Sequence, residues 1–127
     1  MTETRLDIAL PGGPMAAATA RRALQQLPYD LGPQVLSTLR LLATELVANS
    51  VRHAHSRDVR LRVSVENRVV RLEVTDYGPG FDREAAQREA ALNEEAGWGL
   101  LLVDALAPRW GVERHGRGTR VWFELRR

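Results

Sequence analysis

Thr44-Glu45-Leu46-Val47-Ala48-Asn49-Ser50-Val51-Arg52-His53-Ala54 closes a long helix-favouring run that begins near Pro33. Val35, Leu36, Leu39, Leu42, Ala43, Leu46, Val47 and Val51 recur at spacings of three and four, which predicts a core face along one side of a helix over 33–54. Glu45, Asn49 and His53 recur every fourth residue on another stripe, and one turn takes about 3.6 residues, so the three stack on one face. A carboxylate one turn from an amide oxygen suits a general base beside a metal ligand. Mg²⁺ takes oxygen ligands and is usually held by few protein groups together with substrate phosphates. A solvated polar stripe would show the same spacing.

Working outward, short elements flank this helix. Thr4 to Leu10 alternates apolar Leu6, Ile8 and Leu10 with polar Arg5 and Asp7, a first strand. Pro11-Gly12-Gly13-Pro14 breaks it, and Met15 to Leu27 reads as a helix rich in Ala, Leu, Gln and Arg. After the long helix, Val59, Leu61, Val63 and Val65 alternate with polar residues; so do Val70, Leu72 and Val74 beyond a turn at Glu66-Asn67-Arg68, giving a hairpin. Asp82 caps a predicted short helix to about Ala91, and Leu92 to Ala96 reads as a mobile loop. Gly97-Trp98-Gly99 opens a last helix over Leu100 to Leu106. Strands follow at Trp110–Val112 and Val121–Leu125, around a turn at Gly116-Arg117-Gly118. The order β-α-α-β-β-α-α-β-β predicts an α+β fold: a two-layer α/β sandwich with a mixed, mostly antiparallel sheet covered by helices on one face.

The 127 residues fit a single domain, 1–127. There is no Cys, hence no disulfide framework and no thiolate metal site. All 18 basic residues are Arg, which rules out a P-loop and lysine Schiff-base chemistry. Formal net charge is +2 and the pI about 9.9, yet the arginines alternate with Asp and Glu, so no dense basic stripe marks a direct nucleic-acid surface. No apolar run reaches the roughly 18 residues of a membrane span and no signal peptide is seen at Met1–Leu10, so the expected address is the cytoplasm without membrane contact.

Four stretches carry chemistry. Glu45 and Asn49 are the first. Asp76-x-Gly78-x-Gly80 at a strand end is the second: a carboxylate there accepts from an exocyclic amine, and the glycines let backbone approach a flat ring. Gly97-Trp98-Gly99 before a helix is the third, a place where backbone amides meet anions. Gly116-Arg117-Gly118-Thr119 before a strand is the fourth. Singly, each has a plainer reading as a turn or a loop-to-helix junction.

In this order, from Leu6 to Leu125, they resemble the ATPase domains shared by histidine kinases, Hsp90-type chaperones, gyrase and mismatch-repair ATPases, the Bergerat-type ATP-binding fold. The ending, Trp110-Gly111-Val112-Glu113 through Val121-Trp122-Phe123-Glu124-Leu125, is similar to the small stand-alone anti-sigma factor serine/threonine kinases of actinobacterial type. The resemblance implies ATP and Mg²⁺ as ligands, with Asn49 on the metal and Glu45 as general base. It implies Asp76 on the adenine amino group, supported by Thr119, with Gly78 and Gly80 shaping the base pocket. Gly97, Trp98, Gly99 and Leu100 would lie at the phosphates, His53 near them, and Asp82 to Ala96 would form the lid. Two features depart from the family pattern: the lid is short and carries no Lys, and Trp98 is bulky between its glycines. The implied partners are ATP/ADP, an anti-anti-sigma factor-like protein and a sigma factor, with docking near Arg21 and Arg22; a homodimer is left open. Two other functions stay open, a nucleotide-gated regulatory module and the catalytic ATPase domain of a histidine kinase system.

Overall fold

In a computed structural model, residues 2–53, 58–76, 94–115 and 118–127 of the chain are described. The alternating segments form five strands: β1 (Glu3–Leu10), β2 (Val59–Glu66), β3 (Val69–Asp76), β4 (Arg109–His115) and β5 (Gly118–Arg126). They make one sheet of order β1-β2-β3-β5-β4, and every pairing is antiparallel. The expected minority of parallel pairing is therefore absent among the described residues. The helices are α1 (Ala16–Gln25), α2 (Pro33–His53) and α3 (Glu94–Leu106), with a single 3₁₀ turn at Tyr29–Leu31. None of these helices is long and apolar enough to cross a membrane.

The register explains why one sheet face is dry. Val63, Leu72 and Phe123 face one another on adjacent strands, as do Leu61, Val74 and Val121, and all six are buried. The helices cover this face: α1 lies against β1, α2 against β2, β3 and β5, and α3 against β4. Ala16, Ala20 and Leu24 repeat every four residues on α1 and are buried, while Arg21 and Arg22 stand exposed. On α2, Leu36, Leu39, Leu42, Ala43, Leu46 and Val47 fill the centre of the core. Full burial of each such Leu or Phe contributes roughly 1.5–3 kcal/mol. Pro33 takes the first position of α2, where its missing N–H costs nothing. Gly32 before it has φ +90 and accepts from the Leu36 N–H at 3.0 Å, a left-handed backbone that favours glycine.

The opposite sheet face is a lattice of charges. Arg60 donates to Asp7 (2.7 and 2.8 Å), Arg71 contacts Glu124 at 3.5 Å, and Arg120 contacts Glu73 at 3.2 Å. Arg71 also stacks 4.2 Å above the centre of the Trp122 ring. That ring lies across Gly111 of β4, where a Cβ would come within 2.9 Å of the indole Nε1.

One helix boundary differs from the sequence expectation, and one strand carries an irregularity that the expectation did not include. The last helix starts at Glu94, not Leu100, so Glu94 to Ala96 is helical rather than a loop. Glu and Ala are good helix formers, and buried Leu100 and Val103 anchor the segment, which together outweigh two glycines at roughly 1 kcal/mol each. In β1 the register shifts between Thr4 and Leu6. A bulge of this kind re-aims the extra residue, and Arg5 there turns to a bidentate contact with Asp30, 3.0 Å at each oxygen. The helix expected over Asp82–Ala91 lies outside the described residues.

Candidate functional site

The apolar stripe of α2 changes character in its last three turns. Leu39, Ala43, Leu46 and Val47 face the sheet, and the same face continues into Asn49 and Ser50, only 3% and 2% exposed. Buried polar side chains are rare without a polar task. Glu45, one turn before Asn49, is half-buried. Arg52 Nη2 donates to Asn49 Oδ1, so a cation already rests on the amide oxygen expected to meet a metal. His53 ends α2; the structure describes its backbone position alone.

The sheet supplies the other wall. Asp76 is the last residue of β3 and pairs directly with Thr119 of β5; they are 2% and 0% exposed. Alternation puts Asp76 on the same face as Val70, Leu72 and Val74, hence on the helix-covered side. α2 runs in the direction of β3: its first turns, Gln34 to Thr38, line a groove with Leu125 and Arg126 beside the start of β3, so its end reaches the Asp76 end of the sheet. Asn49, Ser50, Asp76 and Thr119 therefore gather at one end of the interlayer space. A carboxylate there accepts from an amino group, a threonine hydroxyl donates or accepts, and an amide oxygen offers one hard ligand.

Among the described residues no group of three or more His, Cys, Asp and Glu is placed to hold a metal ion. The donor on offer is the Asn49 amide oxygen, which fits an ion that takes most of its ligands from phosphate and water, as Mg²⁺ does.

The glycine-rich boxes are reached less fully. Gly78 and Gly80 lie outside the described residues, as does the lid apart from Glu94–Ala96. Gly97, Trp98 and Gly99 sit inside the first turns of α3 rather than ahead of it. A helix leaves free only the N–H groups of its cap and its first three helical residues, so with the helix described from Glu94 none of these three is among them. Leu100 is buried in the core, so its side chain packs and only its backbone faces the question of ligand contact. Sequence reasoning passed over Ser50, Arg52 and Arg114. The signals were present: a serine where the apolar period of α2 continues, an arginine three residues after Asn49, and an arginine ending the alternation Trp110, Val112, Arg114.

A family model described as the histidine kinase-like ATPase domain matches residues 10–125. The chain is 34% identical to the sensor histidine kinase AruS of Pseudomonas aeruginosa, over 84% of this chain and 13% of that protein. It is also 34% identical to the signal transduction histidine-protein kinase/phosphatase DegS of Bacillus subtilis, over 75% of this chain and 25% of that one. The chain thus spans a quarter or less of the length of these two relatives. Among solved structures it is similar to full-length ShkA in complex with AMPPNP, with TM-score 0.57 and 24% identity over 92% of this chain and 31% of that one. The histidine kinase domain of a blue-light activated kinase from Erythrobacter litoralis gives TM-score 0.57 and 22% identity, over 87% of this chain and 57% of that one. At these identities the structural matches speak for the fold.

Proposed function

The chain belongs to the histidine kinase-like ATPase domain family, and from that premise we propose that it binds ATP and passes the γ-phosphate to a hydroxyl of a protein partner. The observation that carries this is the gathering of Asn49, Asp76 and Thr119 at one end of the interlayer space, with Glu45 one turn away. Asp76 accepts from the adenine amino group, and Thr119 on the neighbouring strand steadies that contact. Asn49 offers its amide oxygen to Mg²⁺, which when bound neutralises charge on the β- and γ-phosphates. Arg52 then leaves the amide oxygen and its guanidinium turns toward the phosphates, where bidentate pairing suits it. Glu45 takes the proton from the attacking hydroxyl. Phosphoryl transfer asks the protein mainly for positioning and charge stabilisation, which this set supplies.

The acceptor follows from Glu45. A serine or threonine hydroxyl must lose its proton on attack, and a half-exposed carboxylate one turn from the metal ligand suits that task. We read the chain as an anti-sigma factor-type serine/threonine kinase working in the cytoplasm. In this reading it phosphorylates an anti-anti-sigma factor-like partner and acts on transcription through a sigma factor. A second reading is favoured by two of the curated relatives, AruS and DegS, which are histidine kinases: an ATPase domain serving a phosphoacceptor histidine. Transfer from γ-labelled ATP to candidate partners tests both, because phosphoserine survives acid while phosphohistidine is lost in acid and survives alkali. Acid-stable label supports the serine/threonine reading, and acid-labile label replaces it with the histidine one. ATP binding without transfer to any partner leaves a nucleotide-gated binding module.

A further inference from the structure

The helix-facing side of the sheet is apolar along almost its whole length. Leu6, Ile8 and Leu10 of β1 line it, followed by alternate residues of β2, β3, β5 and β4. Among the described residues of that face Glu3, opposite Val65, carries a charge at the far end of the sheet, and at the site end two residues do, Asp76 and Arg114. Both lie in the same cross-strand row, which runs Leu10, Val59, Asp76, Thr119, Arg114 through all five strands. The row begins with two fully buried apolar residues, passes through buried Asp76 and Thr119, and ends on exposed Arg114. The face assignment of Arg114 is fixed by its own strand. Trp110, four residues earlier, donates from Nε1 to Asp104 Oδ1 of α3 at 2.9 Å, so that alternate set points into the helical layer.

Other arginines of the sheet behave differently, both those one row away, Arg60 and Arg120, and those at the far end. Arg60, Arg71, Arg109 and Arg120 point to the opposite face, and each is paired with a carboxylate. No ion pair among the described residues involves Arg114. Arg114 is thus a cation on the apolar face, at the mouth of the polar end of the interlayer space, with no carboxylate partner among the described residues.

We propose that Arg114 is a nucleotide-binding residue that takes the phosphate-bearing side of an adenine nucleotide whose base sits on Asp76 and Thr119. This rests on the nucleotide reading above. Two interstrand spacings separate Arg114 from Asp76, about 10 Å, a span on the order of that from a purine amino group to its phosphates. The strand also brings Arg114 to the right level. α3 turns into β4 through Ala107 and Pro108, so helix and strand run back along each other. Five residues of strand advance about 17 Å, and eleven residues of helix cover about the same. Arg114 thus returns level with the first turn of α3, close to Gly97. A guanidinium there attracts a polyanion and is indifferent to an uncharged nucleoside.

The test separates the charged part of the ligand from the base. Wild type, Arg114→Ala, Arg114→Lys and Asp76→Asn are titrated with Mg·ADP and with adenosine, and folding is checked by circular dichroism. Arg114→Ala is expected to lose about tenfold or more in ADP affinity and to keep its adenosine affinity within twofold. Arg114→Lys should recover part of the loss, and Asp76→Asn should weaken both ligands alike. Unchanged ADP affinity in Arg114→Ala means the side chain is merely a solvated strand end, and overturns the proposal. Equal losses for adenosine and ADP overturn it too, because Arg114 then serves the base. Wild type binding neither ligand removes the nucleotide reading, and the proposal with it.

Discussion

Four side chains, Glu45, Asn49, Asp76 and Thr119, carry most of the proposed chemistry, and each was visible in the sequence because spacing or turn context set it apart. Ser50, Arg52 and Arg114 were not. A linear pattern sorts residues along one element, whereas these three matter through what lies beside them: the buried end of the interlayer space, the Asn49 amide oxygen, and the row shared with Asp76. Substitutions at this scale should separate roles. Glu45→Ala is expected to slow single-turnover transfer by about 10²–10⁴-fold while leaving ATP affinity within about twofold, the precision of such titrations. Asn49→Ala should weaken both, because its oxygen serves binding and transfer together. Transfer at the wild-type rate by Glu45→Ala would remove the general-base role. Asp76 should also make the site prefer ATP over GTP. Guanine presents a carbonyl where adenine presents an amine, and leaving a buried acceptor unpaired costs about 1–3 kcal/mol. Calorimetry giving equal affinities for the two nucleotides would sink the adenine assignment.

Elements were legible where apolar periodicity was strong, as in α2 and in the alternation of β2, β3 and β5. They were misjudged where one residue type pointed the wrong way. Gly97 and Gly99 read as a boundary, yet α3 runs through them because Leu100 and Val103 are buried behind. The bulge at Arg5 had no sequence mark, since Arg5 fits the alternation and only its contact with Asp30 reveals the shift. A second glycine tells the opposite story. Gly111 reads as an unremarkable strand residue, but the Trp122 indole lies on it, under Arg71. Gly111→Ala would set a methyl group 2.9 to 3.0 Å from three indole atoms. The ring must move and lose its stacking, so the variant should be destabilised by about 1–3 kcal/mol, read as a lower denaturant midpoint. Gly111→Ala combined with Trp122→Ala should recover part of that loss, since the clash is gone. A single variant as stable as wild type would show that the indole has room to shift.

At the scale of the molecule, the strand order was the part least open to sequence reading. The hairpins β2–β3 and β4–β5 follow from short connections, but not which strand of the second joins the first. β5 takes the inner place because Val121, Phe123 and Leu125 are all buried, whereas β4 offers Gly111 and Arg114 and suits an edge. The end of the sheet away from the candidate site is then stitched by charge. Arg5 of β1 grips Asp30 in the 3₁₀ turn, and Arg127 lies 3.8 Å from the same carboxylate. Arg127 also donates from its backbone N–H to Arg68 O at 2.9 Å and from its side chain to Asn67 O at 3.2 Å, holding the β2–β3 turn. The hydrogen bonds from Arg5 hold the Asp30 carboxyl below the usual aspartate range, with the charge of Arg127 assisting. Arg60 does the same for Asp7 on the open sheet face. A carboxyl whose pKa is lowered by folding stabilises the native state above its unfolded value of about 3.9, and the contribution is lost as pH falls through the lower folded value. Thermal stability should therefore stay level from neutral pH toward 5, then decline below about 4. Asp30→Asn should start lower at neutral pH and decline less steeply in acid, because the proton it no longer binds cannot drive unfolding. Melting curves of wild type, Asp30→Asn and Asp7→Asn across that range measure the slopes directly. An acid slope in Asp30→Asn equal to that of wild type would mean the Arg5–Asp30–Arg127 tie does not couple protonation to the fold.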